Sequence, residues 1–467
     1  MSLHAIAIRH LIGPLWAAHE RSPYLRHYRR LRRTQFDVAE VVAERQLSAL
    51  RHLLIHAHKT VPFYRRRFDE VGFDPRALRT FDDLQAVPFL TKADIRLSGS
   101  DMISEAYRDR TDLRRNTTSG STGVSLEVWA DEEAMQFRRG CTLRCDEWSG
   151  WRFGEPIAMV WGNPEYLKRG LRGRLRNRLL ERSRYLDTLK MDEESMARFA
   201  DDLARRQPSL IFGHAHSVYL FAAFVRQYRT GSIRPRGIIT SAMVLHDWQR
   251  QVIEAEFACK VTNRYGCEEV SLIACECEKH EGLHVNTDGQ YVELIRDGRP
   301  VGTGEPGSII VTDLVNRAMP LIRYQVGDVA SWSGRPCSCG RTGMPLLDRI
   351  EGREADYVTT RRGELISGIS LTENFAILVP GIEQLQIIQE SLDRFTFRIV
   401  RGPAYGPPSE VRIQELVTER FGSDVEYDCE FVEQIPQEPS GKYRFCISKV
   451  LNPFANQTHL INENRLI

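Results

Sequence analysis

The chain of 467 residues has little net charge, no long apolar run and few cysteines for its length. Its 64 basic and 62 acidic residues leave a formal net charge of +2, which gives no general electrostatic reason to bind nucleic acid. No run of about 18 apolar residues is present, which excludes a membrane-spanning helix. The 10 scattered cysteines exclude the disulfide framework of a short secreted domain.

The opening residues also lack the pattern of a leader peptide, because His4 and Arg9 interrupt the apolar stretch. We therefore expect a cytoplasmic, reduced protein. Residues 1–39 instead form a basic, helical N-terminal extension. Its arginines and aromatic residues are interleaved: Trp16, Arg21, Tyr24, Arg26, Tyr28, Arg29, Arg30, Arg32 and Arg33. This stretch is interpreted either as a peripheral membrane contact or, preferably, as a solvated face with packing aromatics.

Short apolar runs alternate with helical patterns through the middle of the chain. Runs at 157–161, 210–213 and 238–241 predict strands, and the helical patterns between them predict α/β layers with a mostly parallel sheet. Ligand loops then lie at the carboxyl ends of those strands. From Tyr291 onward, short strands separated by Gly/Pro turns are predicted, including one at 321–324, and a smaller α+β segment follows Gly352.

A polar run suited to phosphate begins at residue 117. It contains only hydroxyl residues and glycine: Thr117, Thr118, Ser119, Gly120, Ser121, Thr122 and Gly123. Glycine permits close approach and positive φ, and hydroxyl and backbone N–H groups donate to phosphate oxygens. The Gly-Lys-Ser/Thr ending of a Walker loop is missing. Alone, such a run predicts only a loop, so its interpretation depends on the other motifs.

Four further motifs follow this run in a fixed order. They are Asn263-Arg264-Tyr265-Gly266-Cys267-Glu268-Glu269, Tyr324-Gln325-Val326-Gly327-Asp328, Gly352-Arg353-Glu354-Ala355-Asp356 and Pro439-Ser440-Gly441-Lys442. With this order, roughly residues 40–450 resemble adenylate-forming enzymes of the acyl-CoA synthetase superfamily. The likeness is greatest to phenylacetate–coenzyme A ligases and related capsular polysaccharide biosynthesis (CapK-like) proteins. It implies a large N-terminal domain of layered α/β sheets, residues 1–351, and a smaller mobile α+β C-terminal domain, residues 352–467.

The resemblance assigns ATP-binding roles residue by residue. The loop that would hold the phosphates comprises Thr118, Ser119, Gly120, Ser121, Thr122 and Gly123. The residues implied around the adenine, ribose and substrate are Ser241, Ala242, Met243, Tyr265, Gly266, Asp328 and Arg353. Glu269 is implied to hold Mg²⁺, a hard cation that prefers carboxylate and phosphate oxygens, with Glu268 as the alternative carboxylate.

The resemblance also implies the reaction. Lys442 matches the lysine that bridges the substrate carboxylate and the α-phosphate, and Asp356 matches the interdomain hinge. A carboxylic acid would form an acyl-adenylate with release of pyrophosphate, and the acyl group would then pass to an acceptor, CoA in the leading interpretation. Residues 360–365 depart from the Arg-Gly-Val-Asn type of loop in phenylacetate ligases. An amine or hydroxyl acceptor, AMP transfer, and a non-catalytic scaffold therefore remain alternatives.

A second group of residues has the chemistry of a structural Zn²⁺ site. Thiolates and imidazole in a set of four are the ligands that zinc prefers. With similar family members as a guide, the predicted ligands are Cys277, His284, Cys337 and Cys339. Cys275 could replace Cys277, His280 could replace His284, and free buried cysteines are the alternative interpretation. Trp161, Phe212 and His214 end predicted strands, where they could line an acid pocket or simply belong to the core.

Overall fold

The structure is a computed structural model. It describes residues 3–118, 126–161, 170–188, 191–228, 232–243, 245, 247–351, 357–361, 365–367, 371, 375, 378–435 and 446–450. These residues form two compact units. The first comprises Met1–Thr118, Leu126–Gly154 and Thr262–Gly352, and the second comprises the other described residues. The predicted hinge at 352–356 lies outside the described residues, so the division of the chain at residue 351 stays a prediction.

The first unit begins with a series of helices. Their bounds are Leu3–Ala7, a π-helical turn Ile8–Ile12, Gly13–His19, Tyr24–Thr34, Ala39–Thr60, Pro62–Glu70, Lys92–Ser98 and Glu132–Asp146. The helix Ala39–Thr60 ends just before Pro62. A new helix begins at Pro62, because proline has a helical φ and needs no N–H partner in the first turn.

The strands of the first unit form an antiparallel sheet. Its order is Arg299–Pro300, Gln290–Arg296, Pro306–Asp313, Tyr324–Trp332, Leu346–Glu351, Leu283–Val285, Ser271–Glu276 and Val261–Cys267. A separate antiparallel pair joins Arg114–Thr118 to Leu126–Ala130. Leucines on the helix Ala39–Thr60 recur at helical spacing and pack into the same hydrophobic core as the sheet.

The strand predicted at 321–324 is wrong over its first three residues, since the strand begins at Tyr324. Arg323 has a φ of 51°, which interrupts an extended conformation. Its buried guanidinium forms an ion pair with Glu293 at 2.9 Å and donates to the carbonyl oxygen of Val87 at 2.6 Å. This buried anchor, which the apolar pattern could not indicate, fixes the backbone before the strand.

The N-terminal extension packs against the helix Glu132–Asp146. A Cβ at Gly140 would lie 2.9 Å from the Cβ of His27, so glycine lets the two helices approach closely. The Tyr28 hydroxyl donates to Glu147 at 2.6 Å, and burial together with that carboxylate raises the pKa of Tyr28. The aromatic residues of the extension therefore pack on the protein. Among the described residues, none of the helices has the length and hydropathy needed to span a membrane.

The second unit contains a parallel sheet flanked by helices. The strand order is Gly237–Ser241, Leu210–His214, Ile157–Trp161 and Ser183–Asp187. The helices are Gly170–Arg176, followed by a π-helical turn Asn177–Glu181, then Glu193–Arg205, Ala215–Tyr228 and Asp247–Phe257. Among the described strands, parallel pairing occurs in this sheet and in two pairs of the C-terminal sheet, whereas the sheet of the first unit is antiparallel. The sequence pattern had predicted parallel pairing for most of the sheet.

The C-terminal part of the second unit has a core of its own. A four-stranded sheet has the order Glu426–Phe431, Arg394–Arg401, Ile382–Ser391 and Cys446–Ser448. A short antiparallel pair joins Tyr357–Thr359 to Leu365–Ser367. The helix Pro407–Phe421 contributes Ile413, Leu416 and Val417 to the core, where they cluster with Phe395 and Phe397. This arrangement matches the smaller α+β segment predicted after Gly352.

Candidate functional site

Two residues predicted to contact the nucleotide, Tyr265 and Asp328, lie side by side in the first unit. Tyr265 is on the strand Val261–Cys267, and Asp328 is on the strand Tyr324–Trp332. The Tyr265 hydroxyl donates to Asp328 Oδ2 at 2.8 Å, and both side chains are only half-buried. The structure therefore brings together a ring face and a carboxylate that lie 63 residues apart in the chain.

Gly266 sets the turn that carries the acidic pair. A Cβ there would collide with the Ser271 carbonyl oxygen, so any larger residue would push the two strands apart. The register of the strands shifts between Tyr265 and Gly266, as in a β-bulge. The turn that follows leaves Glu268 exposed and buries Glu269, which is 5% exposed.

Glu269 is held by a residue of the strand Tyr324–Trp332. The hydroxyl of the fully buried Tyr324 donates to Glu269 Oε1 at 2.8 Å, which fixes the carboxylate. Burial and the nearby Glu269 charge raise the pKa of the Cys267 thiol well above its usual range, so Cys267 stays protonated. A fixed, buried carboxylate suits Mg²⁺. The Glu268 side chain is exposed, although burial and the Glu269 charge raise its pKa.

The second unit places its predicted substrate residues at the carboxyl ends of parallel strands. Ser241 lies opposite His214 in the sheet register, and Ala242 follows with a φ of 67°. A positive φ is uncommon for a residue with a Cβ and is typical of functional turns. Met243 is half-buried after this turn. The position agrees with the rule that ligands bind at these strand ends in α/β sheets.

His214 closes an aromatic cluster at the same strand ends. Its ring centroid lies 4.0 Å from that of Trp161, which stacks on Phe212 at 5.2 Å. His214 is 3% exposed, and its Nδ1 has no hydrogen-bond partner within the part of the chain that the structure describes. Burial lowers the pKa of His214 to about 4, so the imidazole is neutral near pH 7.

This buried histidine predicts an acid-sensitive melting temperature. Because the pKa of His214 falls from 6.5 when unfolded to about 4 when folded, the unfolded chain binds the extra proton in that window. The contribution of neutral His214 to the free energy of unfolding is complete above pH 6.5. It falls by about 1.4 kcal/mol per pH unit toward pH 4. When the pH is lowered from 7 to 5, the melting temperature of the wild type should drop further than that of His214→Gln. The exposed His52→Gln should behave as wild type, and equal losses in wild type and His214→Gln would contradict the prediction.

Several predicted residues lie outside the described residues. They are Ser119, Gly120, Ser121, Thr122, Gly123, Arg353, Asp356 and Lys442. Thr118 ends the strand Arg114–Thr118, with its backbone opposite Leu126. The roles of these residues therefore remain predictions from the sequence motifs.

The four predicted zinc ligands come together in the first unit. Among the described residues, the ligand atoms of Cys277, His284, Cys337 and Cys339 lie within 4.8 Å of one another. The Cys277 and Cys337 sulfurs are 3.5 Å apart, and Cys339 Sγ is 3.3 Å from His284 Nε2. A tetrahedral zinc site with bonds of ~2.0–2.3 Å has ligand separations of roughly 3.3–3.8 Å. The quartet therefore has the dimensions of such a site.

The surroundings of the quartet also suit a metal. His284 Nδ1 is 3.3 Å from the carbonyl oxygen of Met344, an outer contact that would orient Nε2 toward an ion. Backbone N–H groups of Lys279 and Arg341 donate to the sulfurs of Cys277 and Cys339, both at 3.4 Å. These bonds favour the thiolate form, which is the form that binds metal.

The two alternative ligands have other partners. The buried Cys275 thiol hydrogen-bonds that of Cys145, and burial raises the pKa of Cys275 well above its usual range. His280 Nδ1 faces Glu276 Oε2 at 3.4 Å. Neither residue belongs to the quartet that the structure brings together.

The sequence did not indicate how the N-terminal extension meets this quartet. Arg341, two residues after Cys339, donates through Nη1 to both oxygens of Glu278 at 3.0 Å and through Nε to Gln35 at 3.2 Å. Its guanidinium lies 4.5 Å from the ring centroid of Trp148, whose indole N–H also donates to Gln35. The sequence shows an arginine after the cysteine pair. It does not indicate the partners of that arginine, because they lie far away in the chain.

Comparisons with known proteins agree with this geometry. Residues 358–449 match the family described as the CapK C-terminal domain. The phenylacetate–coenzyme A ligase of Thermus thermophilus is 26% identical over 325 residues, 66% of this chain and 70% of that protein. Protein CapK of Staphylococcus aureus is 23% identical over 377 residues, 79% of this chain and 81% of that protein. The resemblance predicted from the motifs is confirmed.

A solved structure confirms the fold. It is a 2-hydroxyisobutyryl-CoA ligase in complex with 2-HIB-AMP and CoA in the thioesterification state. The TM-score is 0.60 at 21% identity, and the alignment covers 92% of this chain and 94% of that one. This chain therefore shares its α/β fold with that CoA ligase. Together the comparisons support an enzyme over the non-catalytic scaffold.

Proposed function

We propose that this chain, which is similar to phenylacetate–coenzyme A ligases, joins a carboxylic acid to CoA at the expense of ATP. The observation that carries the proposal is the grouping of Tyr265, Asp328 and Glu269, held by hydrogen bonds across strands. A nucleotide site requires a ring face for adenine and a carboxylate that accepts from the ribose hydroxyls. It also requires a fixed carboxylate for Mg²⁺.

The proposed reaction has two half-reactions. In the first, a carboxylate oxygen attacks the α-phosphorus of ATP, a new P–O bond forms, and the bond to pyrophosphate breaks. In the second, the CoA sulfur attacks the acyl carbon, a thioester forms, and AMP leaves with the electron pair of the broken C–O bond. Lys442 would neutralise charge on the carboxylate and α-phosphate in the first step.

Each chain residue has a defined task in this proposal. Tyr265 would pack on the adenine, and Asp328 would accept from the ribose hydroxyls. Glu269 would hold Mg²⁺, since its carboxylate is fixed by Tyr324 and offers oxygen ligands. When bound, Mg²⁺ would neutralise the phosphate oxygens and favour attack at the α-phosphate. The aromatic cluster of Trp161, Phe212 and His214 supports an aryl acid as the substrate class.

We propose a structural role for the quartet of Cys277, His284, Cys337 and Cys339. Its four donor atoms use all the positions of a tetrahedral ion, which is typical of structural and not catalytic zinc. The ion would join the segment after the strand Ser271–Glu276 to the turn before Leu346–Glu351. Those two strands flank Leu283–Val285, so the ion would fix their ends.

A second candidate function is transfer to an amine or hydroxyl acceptor. Two observations favour it: the C-terminal segment matches the CapK C-terminal domain, and residues 360–365 depart from the loop of phenylacetate ligases. In this alternative the first half-reaction is unchanged, and only the acceptor differs. An assay with and without CoA separates the two candidates.

The experiment is a screen for pyrophosphate release with ATP, Mg²⁺ and a panel of aromatic and aliphatic acids. Acid-dependent release that increases on addition of CoA, with thioester detected by mass spectrometry, supports the CoA ligase. Release without thioester points to the amine or hydroxyl acceptor. If no acid in a broad panel elicits ATP-dependent release, the proposed activation is wrong.

Lys442→Ala tests the first half-reaction directly. We expect a loss of about 10²–10³ in acid-dependent pyrophosphate exchange, the size typical of removing one positioned charge-stabilising group. The variant should still consume a pre-formed acyl-adenylate with CoA. The matched control is Lys449→Ala, which removes a lysine that pairs with Glu390 in the same segment. Unimpaired exchange in Lys442→Ala would remove the lysine from the mechanism.

A further inference from the structure

The first helices of the chain expose an apolar face. Leu3 is 86% exposed, Leu11 59% and Leu15 62%. Leu11 and Leu15 are one helical turn apart and lie on the same face. Two large apolar side chains kept in water next to each other are unfavourable, by about 25 cal/mol for each Å² that a partner could cover. A face of this kind marks an interaction surface.

The helix that follows is strongly basic. Residues 21–33 contain six arginines and no acidic residue. Within the described part of the chain, the exposed side chains of Arg26, Arg29, Arg30 and Arg33 form no ion pair. Pro14, Ala17 and Ala18, on the helix that carries Leu15, line a groove together with Arg21, Arg26 and Arg29. The helix with the exposed leucine therefore adjoins the basic segment.

The second unit carries the same combination independently. On the helix Gly170–Arg176 the side chain of Leu171 is 86% exposed and that of Leu175 51%. They are again one turn apart, and Arg174 and Arg178 are exposed beside them. Residues 170–180 include four arginines and no acidic residue. Arg176 pairs with Glu181 at 3.0 Å, and Arg174 and Arg178 are the exposed arginines that lie beside the leucines. Two separate segments thus combine exposed leucines with exposed arginines.

We propose that these two surfaces bind an anionic lipid bilayer. Leucines that enter the acyl boundary and arginines that contact headgroup phosphates are the two contributions to interfacial binding. A nucleic acid or a soluble polyanion would use the arginines and leave the leucines in water. A second copy of this chain would bring arginine clusters face to face, which like-charge repulsion opposes. Only an anionic lipid surface uses both the apolar and the basic parts.

Vesicle sedimentation with the full chain tests the proposal. The probes are phosphatidylcholine vesicles with and without phosphatidylserine, at low and high salt. Wild-type protein should sediment with the anionic vesicles, and high salt should weaken binding because it screens the arginines. Absence of phosphatidylserine-dependent sedimentation would overturn the proposal.

Two variants separate the basic and apolar contributions of the N-terminal surface. The triple variant Arg26→Ala, Arg29→Ala, Arg30→Ala should weaken binding about 100-fold. Each arginine contributes a factor of about five, and the three factors multiply. The double variant Leu11→Ser, Leu15→Ser should weaken binding at least about tenfold. The charge-matched control is Arg205→Ala, Arg226→Ala, Arg299→Ala, and the apolar control is Leu97→Ser at a leucine that is 87% exposed. Both controls should bind like wild type.

The second segment is tested with the double variant Leu171→Ser, Leu175→Ser. This variant should also weaken binding to anionic vesicles. All variants should keep the wild-type melting temperature, because the altered side chains are exposed. If the arginine variant loses binding while both leucine variants retain it, the partner is a soluble polyanion and the proposal is wrong. Equal losses in the charge-matched control would also overturn it, since net charge alone would then explain the binding.

Discussion

Replacing Glu269 with glutamine is expected to lower acid-dependent pyrophosphate release about 100-fold, the loss typical of disturbing a metal site. The amide oxygen can still accept the hydrogen bond from Tyr324, so the turn should keep its conformation. The charge that would bind Mg²⁺ is removed, and we expect a higher Mg²⁺ requirement in the variant. Initial rates measured across a magnesium titration check both effects.

Glu268→Gln is the matched control for this prediction. It changes the same residue type one position earlier, on an exposed side chain. We expect its rate to stay within about fivefold of wild type, because the hydrogen bond from Tyr324 fixes the Glu269 carboxylate and not that of Glu268. The reverse result, with Glu268→Gln inactive and Glu269→Gln active, would assign the metal to the exposed carboxylate.

Cys339→Ser is expected to abolish zinc binding and to lower the melting temperature. The wild type should contain one zinc per chain after purification under reducing conditions. With free zinc a thousand times above its Kd, bound zinc contributes about 4 kcal/mol to the folded state. A serine hydroxyl is a poor substitute for the thiolate that zinc prefers. Elemental analysis and thermal melting measure the two effects, and a chelator should destabilise the wild type similarly.

Cys429→Ser provides the comparison for that experiment. Cys429 is half-buried on the strand Glu426–Phe431, and burial raises the pKa of its thiol to about 11. This variant should keep full zinc content and a melting temperature close to that of wild type. If the wild type contains no stoichiometric zinc, the quartet is a cluster of reduced cysteines and the proposed structural role is wrong.

The ligase resemblance could be predicted from sequence because its motifs are short and local. The runs around Tyr265, Asp328 and Lys442 each occupy a few residues, and their order along the chain is readable without coordinates. Strands at 157–161 and 238–241 were also readable, since their apolar runs are bounded by polar turns. These features depend on neighbours in the chain.

The sequence left other choices open because they depend on distant partners. Spacing alone could not separate Cys277 from Cys275. Strand pairing decided it by placing Cys277 3.5 Å from Cys337, sixty residues away, and Cys275 against Cys145. The preference for Glu269 over Glu268 also needed Tyr324, whose hydroxyl comes from a neighbouring segment of the fold.

The sequence by itself determined the α/β class, the order of the proposed nucleotide motifs and the residue types of the proposed zinc quartet. Those follow from local periodicity and from the chemistry of single side chains. Only the tertiary structure decided where the strand begins near Arg323, which cysteines meet, and which arginines stay exposed beside Leu11 and Leu15. Burial and pairing join residues far apart in the chain, and local sequence patterns carry no record of such contacts.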